Sequence, residues 1–123
     1  MDQWNAILRA LKAGQIVVDK YGKNVLSIAI INNAPLRAIN KIIDIQPEFA
    51  FQADNQGNLP IHYAVSRDPP NEEIIAKLYS IYPDSLYIKN KQNRTPFNVI
   101  QNWNTMVFLE RQDSHRQAGG SSR

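Results

Sequence analysis

The side chains that could act as nucleophile, base or metal ligand are few. The chain of 123 residues has two histidines and no cysteine. His62 lies in the stretch "DNQGNLPIHYA", residues 54–64, with Ser66 and Asp68 shortly after it. A serine, a histidine and an acid are the parts of a hydrolytic site, yet no motif frames this trio. His115 stands far along the chain, and a zinc site needs several ligands, usually with a closely spaced pair among them. Glu72 and Glu73 follow Asn71, where a helix start favours acids. Gly119 and Gly120 precede no helix, so they form no phosphate cradle. The expectation is a protein that is not an enzyme, with no catalytic residue, no metal and no cofactor.

Bulk properties narrow the classes further. With 43 % hydrophobic and 20 % charged residues, the chain can build one core. Its longest apolar runs, such as "VLSIAII" at 25–31, are too short to span a bilayer. The start "MDQWNAILRALKAG" reads as an amphipathic helix, not a secretory leader, and the lack of cysteine suits a reducing compartment. A cytoplasmic protein is expected. The net charge is +3. Arg111, Arg116 and Arg123 against Asp113 give residues 111–123 a share of +2, which leaves +1 for the rest. That stretch, ending in "RQAGGSSR", has the composition of a disordered tail. A near-neutral body argues against nucleic acid as a partner.

The elements that must position these residues recur. "DKYGKNVLSIA" from Asp19, "DNQGNLPIHYA" from Asp54 and "NKQNRTPFNVI" from Asn90 align, and their fourth residues are Gly22, Gly57 and Asn93. Glycine and asparagine most readily take a positive φ, so one tight turn accounts for all three. Aliphatic or aromatic residues hold the same register before each turn: Trp4, Ile39 and Ile75; Ile7, Ile42 and Leu78; Ile16, Phe51 and Tyr87. Pro47 and Pro83 end a helix in equivalent places. Each unit reads as a polar turn, a short apolar helix, a linker, a second helix with a stripe such as Ile74, Ile75, Leu78 and Ile81, and an extended return of roughly eight residues.

These residues resemble the ankyrin repeat, whose first helix opens with a T-P-L-H-x-A pattern. The second unit reads Leu59-Pro60-Ile61-His62-Tyr63-Ala64, the third Thr95-Pro96-Phe97-Asn98-Val99-Ile100, and the first Asn24-Val25-Leu26-Ser27-Ile28-Ala29. The resemblance implies an all-α fold, a short solenoid of helix-turn-helix repeats with projecting β-turn loops. It would occupy residues 1–110, with a partial N-terminal cap unit at 1–18 and repeats starting near 19, 54 and 90. Residues 111–123 would be the tail. It also implies that His62 and Thr95 staple neighbouring loops through backbone groups, beside the structural turn residues Gly22, Gly57 and Asn93.

What the resemblance implies for function is a non-catalytic module that binds another protein. Its partner would contact the loop tips, at Lys20, Tyr21, Lys23, Asn55, Gln56, Asn58, Lys91, Gln92 and Arg94. It would also contact the exposed side of the first helices, at Ile31, Asn32, Ser66, Arg67, Asn102 and Trp103. These side chains are mostly amide and cationic, which favours a partner with an acidic or polar surface and no nucleic acid, membrane or small-molecule ligand. Tyr21 could instead pack on the adjacent strand, and Trp103 is expected to cover the end of the last repeat. A structural or self-associating unit is the competing reading.

Overall fold

The computed structural model describes residues 3–14, 18–67 and 69–121, with side chains of the last helix described as far as Ser114. Helix α1 (Gln3–Lys12) turns Trp4 and Leu11 into the core. Helix α2 (Val25–Ile31) starts at Asn24, whose side chain accepts a hydrogen bond from the Ser27 N–H. It ends with Asn33 at φ +60, while the Asn33 N–H reaches the Ile30 carbonyl and the Ala34 N–H reaches Ala29. That pair of bonds is the left-handed cap that satisfies the last carbonyls of a helix.

Helices α3 (Leu36–Ile45) and α5 (Glu72–Ile81) close their units in the same way. Gln46 and Tyr82 leave the helix with φ −142, ψ 76 and φ −143, ψ 77. The ring of the proline that follows each excludes the helical region for the residue before it. The chain then makes a 3-10 turn at Pro47–Phe51 and again at Pro83–Tyr87. The return to the next loop, expected to be extended throughout, therefore begins with a coiled turn. Phe51 and Tyr87, which share a register, are about half exposed. Phe51 packs on the Tyr82 ring at 4.6 Å between centroids and Tyr87 on Phe97 at 6.4 Å, so each links two successive units. Ile16, the equivalent position in the first unit, lies outside the described residues.

The first helices, α2 and α4 (Pro60–Ser66), pack side by side, and α4 packs in turn against the segment after the third loop. That segment is a 3-10 turn, Pro96–Val99, where a short α-helix was expected. The stretch Asn98-Val99-Ile100-Gln101-Asn102 is rich in asparagine and β-branched residues, which are poorer helix formers. The second helices form the other layer: α1 packs on α3, while α3 backs α2 and α5 backs α4. Leu26, Ile30, Ile39, Ile42, Ile61, Ile75, Leu78 and Leu86 fill the space between the layers.

Helix α6 (Trp103–Ser121) is the largest departure from expectation. Residues 111–121, read as tail from their composition, continue this helix. Leu109 is fully buried and so, nearly, is Asp113, whose carboxylate accepts hydrogen bonds from the hydroxyls of Tyr79 (3.0 Å) and Tyr87. A buried carboxylate held by two donors from the preceding unit carries the helix past residue 111. Both donors are far away in sequence.

Candidate partner-binding face

Three loops project from the layers, and the same atoms close each one. Oδ1 of Asp19 accepts from the N–H groups of Tyr21 and Lys23, both at 2.9 Å. Asp54 accepts from Gln56 and Asn58, and Asn90 from Gln92 and Arg94, at 2.9 and 3.0 Å in each case. The backbone N–H of each of these residues reaches the carbonyl four positions on. Between them the chain reverses at Gly22 (φ +79), Gly57 (φ +79) and Asn93 (φ +65). Sequence reasoning aligned Asp19, Asp54 and Asn90 without giving them a task. The signal was their recurrence with spacing that suits an Asx turn.

The loops are hydrogen-bonded into a row. The Asn55 N–H donates to the Tyr21 carbonyl and the Lys91 N–H to Gln56, both at 2.9 Å. Contact is close enough that a Cβ on Gly57 would meet the Lys91 nitrogen at 3.0 Å, and one on Gly22 would meet Asn55 Oδ1 at 2.5 Å. The Asn90 amide donates to Asn58 Oδ1 at 2.7 Å, adding a side-chain link between the second and third loops.

His62 lies beneath this row, 2 % exposed. Its Nδ1 accepts from the Leu59 N–H at 3.0 Å, and its Nε2 lies 3.2 Å from the Arg94 carbonyl. A nitrogen that accepts carries no proton, so the proton is on Nε2, which donates to Arg94. Burial pushes the His62 pKa below its ordinary value, against the opposing pull of the Arg94 and Ile88 carbonyls and of Asp54. Both ring nitrogens are engaged, Ser66 Oγ donates to the Tyr63 carbonyl at 3.0 Å, and Asp68 lies outside the described residues. His62 and Ser66 are thus each bonded to backbone groups and not to each other. The same two cap positions are used differently in the other units. In the first, Asn24 bonds the Ser27 N–H and its amide reaches the Phe49 carbonyl at 3.1 Å. In the third, Asn98 Oδ1 accepts from both the N–H and the hydroxyl of Thr95. These Thr95 bonds close its own turn, because Asn98 stands where the second unit has histidine.

The expected contact residues fall into two groups. Lys20, Tyr21, Asn55, Gln56, Lys91, Gln92 and Arg94 are exposed along the row of tips, and Ile31 and Asn32 at the end of α2. Tyr21, 52 % exposed, is flanked by the Lys20 and Lys23 ammonium groups at 5.2 and 4.6 Å from its ring centroid. Others are engaged within the protein. Lys23 lies 4.0 Å from the buried Asp54 carboxylate, and Asn58 joins two loops and Tyr63. Arg67 donates to the Ile30 carbonyl and to Asn33 Oδ1, clamping α4 to the end of α2. Asn102 caps α6, accepting from the N–H groups of Asn104, Thr105 and Met106. Trp103 covers nothing: it is 76 % exposed, because it opens α6 on the side away from the core while Thr105 and Leu109 turn inward.

Tyr63 was missed as a site residue. Its hydroxyl donates to Asp54 and accepts from the Asn58 amide, and burial together with the Asp54 bond pushes its pKa up to about 12. It contributes to the wall of a groove of about 490 Å³ between the second and third loops and the first-helix layer. Ser66, Gln92, Arg94, Asn98 and Gln101 line the same groove with His62 and Asn58. The arrangement offers amide donors and acceptors with one guanidinium group among them. Among the described residues, no cluster of three histidine, cysteine or acidic side chains is placed to hold a metal, and no helix is long and apolar enough to cross a membrane.

No protein-family model matches the chain, and no curated protein sequence does. Among solved structures it is similar to the ankyrin repeat domain of Bcl-3, described as a unique member of the IkappaB protein family. The TM-score is 0.70 at 23 % sequence identity, over 85 % of this chain. The match takes in 45 % of that domain's chain, so this protein spans less than half of it. The likeness is one of fold: this is an all-α, ankyrin-like repeat structure.

Proposed function

We propose that this ankyrin-like chain is a non-catalytic, cytoplasmic module that binds another protein through its row of loop tips and the groove beneath them. The observation that supports this most directly is the groove at Ser66, Gln92, Arg94, Asn98 and Gln101, open to solvent and lined with amides. Amide side chains pair with the peptide groups of a polypeptide, and Arg94 favours an acidic or polar partner surface. Tyr21 adds an exposed aromatic ring at the far end of the row, the residue type that most often anchors an interface. Lys23, Asn58, Arg67 and Asn102, tied into the protein, shape this face and contribute less to contact.

The test is affinity capture of protein partners with the full chain, repeated with Tyr21→Ala and Arg94→Ala. The captured protein should be lost or weakened about tenfold with either variant, the effect of an anchor of roughly 1.4 kcal/mol. Capture unaffected by both would overturn the reading. Self-association is favoured by one observation, the exposed Trp103 beside half-buried Met106, Val107 and Phe108 on α6. Light scattering across concentration separates the two: a monomer at every concentration removes the self-associating reading.

A further inference from the structure

Away from the loops, α1 and α3 run side by side and leave a groove between them. Arg37, Lys41 and Ile45 form a stripe on α3 at helical spacing, and Asn5, Leu8, Arg9 and Lys12 face them from α1. The cavity is about 320 Å³ and shares no lining residue with the groove of the proposed function. Its four cations are exposed, while Leu8 and Ile45 are half-buried between them. Asp44, the acid of α3 nearest the stripe in sequence, is paired with Lys77 of α5 at 3.8 Å. Arg9, Lys12 and Lys41, beside an Arg37 that has interactions of its own, set positive side chains around one apolar floor in a chain whose net charge is only +3.

We propose that this groove is a second interaction surface, which takes a short acidic peptide segment carrying an aliphatic side chain. Charge complementarity selects the acids, and the recessed Leu8 and Ile45 select a side chain long enough to reach them. A flat anionic bilayer would meet the cations but not that floor. Nucleic acid would find no aromatic ring among the lining residues on which to stack a base. The volume is near the lower end of ligand sites, roughly 300–1,000 Å³, which suits a few residues and not a domain.

The probe is a fluorescein-labelled Glu-Glu-Leu-Glu-Glu-Leu peptide, titrated with the full chain at low salt and read by fluorescence anisotropy. Saturable binding is expected, weakened about tenfold by the pair Arg9→Glu and Lys41→Glu and reduced by added salt. The pair Lys12→Gln and Lys41→Gln should act in the same direction and keeps the test decisive if charge reversal unfolds the chain. Arg94→Ala, in the other groove, should leave the probe's affinity unchanged, so failure here is distinct from failure of the loop-face reading. Replacing the leucines of the probe by serine should weaken it. No saturable binding, or affinity indifferent to the charge variants, would overturn the proposal. So would a serine probe that binds as well as the leucine one, or tighter binding to phosphatidylserine vesicles or to oligothymidylate.

Discussion

At the scale of single residues, His62 shows how a side chain suited to chemistry becomes a fastener. Proton on Nε2 and lone pair on Nδ1 let one ring serve the Leu59 N–H and the Arg94 carbonyl at once. Protonation of Nδ1 would set two donors against each other, in keeping with a pKa held below its ordinary value by burial. The unfolded chain then binds the proton first, so this contribution is complete above the unfolded value near 6.5 and is lost as pH falls below it. The melting temperature should therefore drop between pH 7.5 and pH 5, and this component of the drop should vanish in His62→Ala. That variant should also cost about 1–3 kcal/mol at neutral pH, from the lost bonds and the space left behind. An unchanged denaturant midpoint at neutral pH would dismiss the fastening role.

At the scale of elements, the loop is the unit whose geometry recurs most faithfully. An acid or amide at its first position, two N–H groups bonded to it and a left-handed residue at its fourth occur three times. Alanine is strained at a positive φ wherever it is placed, but the surroundings differ. At Gly57 the added Cβ meets backbone, Lys91 N at 3.0 Å and Asn90 Cα at 3.1 Å, whereas at Gly22 it meets mainly the mobile end of Asn55. Gly57→Ala should thus lose more stability than Gly22→Ala, each by at least about 1 kcal/mol. Gly14→Ala, with φ +84 and open space around it, should lose least. Chemical denaturation of the three variants gives the order, and a reversed order would contradict the stacking of the loops.

Across the whole molecule, stability comes from each unit covering the next. Asp113 is the clearest case, since its carboxylate on α6 holds Tyr79 of α5 and Tyr87 of the turn that follows. A chain ending at residue 110 leaves both hydroxyls without that partner and should melt well below one ending at residue 114. Asp113→Ala should cost about 1–3 kcal/mol, since the buried Tyr79 hydroxyl and the part-buried Tyr87 hydroxyl lose their shared acceptor. Equal melting of the two truncated chains would return residues 111–114 to the status of a tail.

The repeat was legible in the chain because its causes are local. A glycine or asparagine marks a left-handed turn, a proline stops the helix one residue before it, and aliphatic spacing marks the buried stripe of a helix. Those signals needed no knowledge of neighbours, and they sufficed for an all-α repeat fold. The exposure of Trp103, the engagement of Arg67 and Asn58, and the burial of Asp113 were not legible. The last three depend on what a distant unit places opposite them, thirty or so positions away in the chain by the period of such repeats, and Trp103 on which side of α6 the core lies. Composition marked residues 111–121 as solvated because it counts charges without their partners. Two tyrosines brought beside one carboxylate by the stacking of helices tie the helix to the body at Asp113.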